Sequence, residues 1–125
     1  MITTLDPIRY LELPTGIATI QTAAVVTAVA NNQQLVAAVS GKRIRVMGWI
    51  AQAVGAAVGS FTLKSNSGGT AISAPLTVPV VTAGANEKLP ISHTGYMETS
   101  TGHGLFTDVT GAGINFTIFY IQYTP

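Results

Sequence analysis

The sequence predicts an all-β protein: an antiparallel sandwich or barrel of eight or nine strands behind an extended N-terminal arm. Three observations predict it. Segments rich in Val, Ile, Thr and aromatic residues recur from Ala18 to the C-terminus, as half-buried strands require. Each is closed within a few residues by Gly, Asn, Ser or Pro, giving short strands at close spacing. No segment carries a strong 3.6-residue apolar period.

Taken in order, residues 1–16 contain Pro7 and Pro14 and show no sustained period, which suits an extended arm with a short strand at "IRYLEL". Residues 17–125 form the sandwich domain, with strands expected at Thr19–Val29, Leu35–Val39, Arg43–Ala53, Val58–Lys64 and Ala71–Val78, then Leu89–Ser92, Tyr96–Thr99, Leu105–Val109 and Ile114–Tyr123. The turns between them include "ANNQQ", "SGK", "VGAA", "SNSGGT", "TAGANEK" and "STGHG". The stretch "WIAQAVGAAVG" is rich in alanine, a good helix former, but its glycines and strand-type flanks favour strand–turn–strand.

Strict alternation assigns the faces. In "KRIRVMGWI" it puts Ile44, Val46 and Ile50 on one face and Arg43, Arg45, Met47 and Trp49 on the other. Ile44, Val46, Ile50, Phe61, Leu63, Phe116 and Ile118 are the expected core. In the last strand Ile114, Phe116, Ile118 and Tyr120 oppose a set that begins polar at Asn115 and ends apolar at Ile121. Strands apolar on both faces need cover on both, and a two-sheet sandwich supplies only one. The other cover is the arm or a neighbouring subunit.

Composition points the same way. Apolar residues make up 47% of the 125-residue chain, yet charged residues make up only 9%, against roughly 25% in an average soluble domain. With six basic and five acidic side chains, net charge +1 supplies little repulsion between copies. That balance offers no general attraction to nucleic acid or to an anionic membrane. The most apolar segment, "IATIQTAAVVTAVA", is too short to span a bilayer, and the N-terminus has no signal-peptide pattern. Cysteine is absent, which excludes disulfides, thiolate metal sites and a cysteine nucleophile.

The chemistry-bearing residues form no motif. His93, Glu98 and His103 offer two imidazoles and a carboxylate, but without a metal-binding spacing; loop histidines are the plainer reading. Ser92 or Ser100 with His103 and Asp108 makes a triad only on paper, with no nucleophile elbow around either serine. The reading is no enzyme, no metal and no cofactor. Lys42, Arg43, Arg45 and Trp49 form the one basic-aromatic group, and Arg and Trp are the residues that most often anchor protein interfaces. Arg43, Arg45 and Trp49 are therefore candidate interface residues, as are Ile8, Tyr10 and Leu13 of the arm.

The segment "GKRIRVMGWIAQAVGAAVGSFTLKSNSGGTAISAPLTV", followed by "LPISHTGYMETSTGHGLFTDVTGAGINFTIFYIQY", resembles a group of small tailed-bacteriophage virion proteins. Those chains run as G-K-[KR]-I-R-V, an apolar strand with an Ala/Gly-rich turn, a strand ending in G-P-L, then G-[WYF]-[MF]-E-T-x-x-G-x-x-L and a final aromatic strand. The matching positions are Gly41–Val46, Phe61–Leu76, Gly95–Leu105 and Ile114–Tyr123. Ala74 departs from the pattern, standing where the group more often has Gly before Pro. The resemblance covers about residues 35–123. It implies a jelly-roll-like β-sandwich, a homotrimer, and a capsid decoration or cement role with the major capsid protein as partner. Such a protein is assembled in the host cytoplasm and resides on the virion surface. A tail or head-fibre or baseplate module, and a small carbohydrate-binding sandwich using Trp49, Tyr96 or Tyr123, are the alternatives.

Overall fold

In a computed structural model of the chain, the structure describes residues 10–13, 16–54, 57–79, 87–92 and 94–125. Among them there is no helix. The strands are β1 (Tyr10–Leu13), β2 (Gly16–Thr19), β3 (Gln21–Thr27), β4 (Gln33–Val36), β5 (Arg43–Ala53) and β6 (Gly59–Ser65). They continue as β7 (Thr70–Ala71), β8 (Leu76–Val78), β9 (Glu87–Leu89), β10 (Met97–Glu98), β11 (Leu105–Thr110) and β12 (Ile114–Tyr123). The expected strand at Ala71–Val78 is two short strands, β7 and β8, because Ser73 and Pro75 interrupt the ladder. The "IRYLEL" segment contains β1, which pairs antiparallel with β2.

The other ten strands form two antiparallel sheets packed as a sandwich. Sheet one runs β10-β5-β12-β3, with β9 also on β5; sheet two runs β4-β11-β6-β7, with β8 also on β6. The pairing is nested. β3 pairs with β12, β4 with β11, β5 with β9 and β10, and β6 with β7 and β8. That is one long antiparallel ribbon folded across itself, and β12 on β5 and β11 on β6 close the wrap.

Both sheets supply the core. Ile44, Val46, Trp49, Ala51 and Ala53 of β5 and Ile114, Phe116 and Ile118 of β12 face Phe61 and Leu63 of β6, Leu105 and Val109 of β11, and Leu35 and Val36 of β4. Phe61 sits edge-on to two rings at once, with centroids 5.8 Å from Trp49 and 4.8 Å from Phe116. Such T-shaped contacts match the edge of one ring to the face of the next.

Strict alternation fails at one point in β5. Phe119 pairs with Gly48 but Tyr120 pairs with Val46, so Met47 is an extra, unpaired residue. A bulge of this kind shifts the phase of every residue beyond it. Ile44 and Val46 face inward as expected, and after the bulge Trp49, Ala51 and Ala53 do so in place of Ile50. Trp49 is 3% exposed and Ile50 is 38% exposed. The assignment of Trp49 to the face of Arg43 and Arg45, and of Ile50 to the core, is thereby corrected. Ile50→Ala is expected to cost about 1 kcal/mol or less in urea unfolding, against about 2–5 for a buried isoleucine. A cost in the core range would place Ile50 inside after all.

Candidate interface and its charged cluster

The two segments that carry Arg43, Arg45 and Glu98 meet where β10 pairs with β5, placing Glu98 beside Arg45 on the outer face of sheet one. Arg43 Nη1 donates to Glu98 Oε1 at 3.0 Å and its Nε to Thr101 Oγ1 at 3.1 Å. Arg45 Nε donates to Glu98 Oε2 at 3.1 Å, and its Nη2 to the Tyr123 hydroxyl at 2.9 Å. The same hydroxyl donates to Glu98 Oε2, so Tyr123 closes a ring of contacts among β5, β10 and β12. The Arg45 guanidinium carbon also lies 4.9 Å from the centre of the Tyr123 ring.

Packing holds the cluster in place. Gly95, with φ of 76°, lies over the Arg45 stem; a Cβ there would meet its Cγ and Cδ at 2.7 Å and Met47 Sδ at 3.1 Å. Backbone bonds from Ser92 N to Met47 O, Tyr96 N to Val46 O and Thr99 N to Ile44 O run this segment along β5. Met47 and Ile121 are fully buried outside the main core, beneath this polar cover.

Three side chains change their proton affinity in this setting. Burial alone would raise the Glu98 carboxyl, but hydrogen bonds from Tyr123, Arg45 and Arg43 outweigh it and hold the group below its ordinary value. Burial pushes the Tyr123 hydroxyl up, and its bond to the Glu98 carboxylate adds to the rise. Burial works against the Arg45 cation, yet the bond to Glu98 and the charges around it keep its affinity raised. All three are ionised or neutral in the sense that lets each satisfy the others.

Among the candidate interface residues whose side chains the structure describes, Arg43 and Arg45 come together and Trp49 does not join them. Their guanidinium groups are engaged with Glu98, Thr101 and Tyr123, so they are anchors of the fold before they are anchors of a partner. Trp49 lies in the core, removed from them by the bulge. Tyr10 and Leu13 fall in β1, opposite Thr19 and Gly16, and Ile8 lies outside the described residues.

The other chemistry-bearing residues that the structure describes have partners of their own. His93 lies outside the described residues. His103 Nδ1 meets Ser65 Oγ at 2.9 Å, and the same oxygen accepts the Ser100 backbone N–H at 2.9 Å. Asp108 pairs with Lys64 at 3.3 Å and accepts the Asn32 backbone N–H at 2.8 Å. No three His, Cys, Asp or Glu side chains among the described residues gather into a metal-binding group.

Sequence reading missed the sandwich's two unequal outer faces. On sheet two, Lys64, Asp108, Thr62, Ser60 and Gln34 present polar groups. On sheet one, beyond the Arg–Glu–Tyr cluster, the register aligns Thr22, Ala24 and Val26 of β3 with Phe119, Thr117 and Asn115 of β12 and with Gly48, Ile50 and Gln52 of β5. Val26 is 78% exposed there, and the charge on this part of the face is Lys88 at its β9 margin. A sparsely charged, partly apolar sheet face is a surface that association covers at modest desolvation cost. No family model matches the chain, and no curated protein matches it either.

Proposed function

We propose that the chain is a tailed-bacteriophage virion protein, a trimeric decoration protein that binds the outer surface of the capsid shell and stabilises it. One observation carries the reading. The separate segments of the virion-protein resemblance converge on one unit: Arg43 and Arg45 from "GKRIRV", Gly95 and Glu98 from "GYMET", and Tyr123 from the final aromatic strand. That convergence gives the pattern a physical reason, since each segment supplies a partner that another needs. The nested strand order supports a jelly roll, an architecture that recurs in viral capsid and lectin domains. One fold hosts unrelated functions, so the surface must carry the rest.

The sparsely charged, partly apolar part of the sheet-one face supports self-association, and a trimer holding several weak contacts to a shell gains avidity over any one of them. A subunit that binds only the assembled shell stabilises it by mass action, in proportion to the logarithm of its concentration above Kd. The carbohydrate alternative has lost its aromatic platform: Trp49 is buried and Tyr123 is engaged, leaving Tyr96 at 43% exposed. Light scattering is expected to give three times the chain mass, and the protein is expected to co-sediment with purified heads and raise their melting temperature. A concentration-independent monomer that binds glycans and ignores heads would overturn the proposal.

A further inference from the structure

On the outer face of sheet two, three side chains from distant parts of the chain meet end to end. Lys64 of β6 donates from Nζ to Asn32 Oδ1 at 2.8 Å, and the same Nζ lies 3.3 Å from Asp108 Oδ2 of β11. Asp108 Oδ1 accepts the Asn32 backbone N–H at 2.8 Å, which fixes the turn that carries the amide. Asn32 Oδ1 also accepts the Gly68 backbone N–H, from the turn between β6 and β7, at 2.7 Å. Asn32 holds φ of 57°, a left-handed conformation that asparagine adopts more readily than most residues. An ion pair accounts for Lys64 and Asp108. The amide carbonyl held between a backbone N–H and the amine is the further feature.

From this geometry we infer that Lys64 and Asn32 condense into an intramolecular isopeptide bond, with Asp108 as the group that moves the protons. The inference does not depend on the decoration reading. Nζ lies 2.8 Å from Oδ1, so with a C=O bond of about 1.23 Å it is within about 4 Å of Cγ. A small swing of the flexible Lys64 end over the carbonyl face reaches the attack distance of roughly 3–3.5 Å. The Lys64 ammonium passes one proton to the Asp108 carboxylate, and the freed lone pair forms a bond to Asn32 Cγ. The carbonyl π electrons move onto Oδ1, where the Gly68 N–H already donates to the oxygen that gains negative charge. Asp108 protonates Nδ2 and takes a second proton from Nζ. Oδ1 then returns to a carbonyl, the Cγ–Nδ2 bond breaks, and ammonia leaves with the bonding pair. Ammonia takes the proton left on Asp108, so ammonium departs and the carboxylate is restored. No oxidant, metal or second substrate enters. The Lys64 side chain is 13% exposed, which limits the water that would compete for the amide. In a chain without cysteine the bond is a covalent brace, tying the loop between β3 and β4 to β6.

Intact mass spectrometry of the full chain reads the bond directly. Wild-type protein, folded and aged at neutral pH, is expected to weigh less than its own sequence by one ammonia. Trypsin is expected to leave the Lys64–Ser65 bond uncut, because the lysine is acylated, and fragmentation should join the Asn32 and Lys64 peptides. Lys64→Arg keeps the cation but cannot condense, so it should restore the full sequence mass. Asp108→Asn keeps an acceptor for the Asn32 N–H but loses the proton carrier, and should slow the loss of ammonia by about a hundredfold or more. If either variant fails to fold, the wild-type mass and its linked peptides decide alone. A wild-type mass equal to the sequence, with Lys64 cut normally, overturns the proposal. So does an ammonia loss that persists in Lys64→Arg or yields to hydroxylamine, which marks a succinimide at an asparagine. Condensation at an undiminished rate in Asp108→Asn overturns the part given to Asp108.

Discussion

Phe61→Ala is expected to lower the unfolding free energy by about 3–5 kcal/mol, measured by urea denaturation at neutral pH. Phe61 lies between Trp49 and Phe116, and its side chain is among the largest that are fully buried. Truncation removes both edge-to-face contacts and leaves a cavity bounded by both sheets, which short ladders on either side cannot readily close. Aromatic pairs contribute about 0.5–1.5 kcal/mol beyond buried area, so the loss should fall in the upper half of the range. The double variant Phe61→Ala with Phe116→Ala should cost less than the sum of the two singles, because the pair shares one contact. Strict additivity would mean that the rings are energetically independent despite their 4.8 Å separation.

The second large effect lies in the charged cluster. Glu98→Gln is expected to cost about 1–2 kcal/mol at neutral pH, less than a fully buried broken pair because the Glu98 side chain is 30% exposed. Its pH dependence distinguishes it from a packing defect. The Glu98 carboxyl is held below its ordinary value in the folded chain, so its contribution is complete above the ordinary carboxylate range. It is lost as pH falls through that range to the lower folded value. The gap between wild type and Glu98→Gln should therefore be flat above about pH 5 and close below it. Tyr123 acts in the opposite sense: its raised folded value favours the neutral hydroxyl, so stability should decline above about pH 10. A gap that stays constant into acid would mean that the carboxylate charge plays no part.

Most of the fold was legible because strand chemistry repeats locally. The turns at "SGK", "SNSGGT" and "STGHG" and the β-branched runs between them placed β3 to β6 and β9 to β12 within a few residues. The core list held apart from Ile50, because six of its seven members lie on ladders where the two-residue period is unbroken or lie before the bulge. The bulge at Met47 was not legible. A glycine follows it, but Gly48 is equally consistent with a regular strand until the register with Phe119 and Tyr120 is known. That single residue carried Trp49 into the core and Ile50 out of it.

The site was legible as residues and not as contacts. Arg43, Arg45 and Tyr123 were visible in the sequence, but their partner Glu98 lies more than fifty positions from the arginines. Such a pairing comes from the wrap of the ribbon and from no local spacing. The apolar residues Val26 and Val29 were visible in the sequence, but their exposure depends on β3 standing at the open edge of sheet one.

Cryo-electron microscopy of purified tailed-phage heads, with and without the protein, tests the proposed decoration role most directly. The proposal predicts added trimeric density on the outer capsid surface. Capsids of identical density in both preparations, or density confined to the tail, would contradict it.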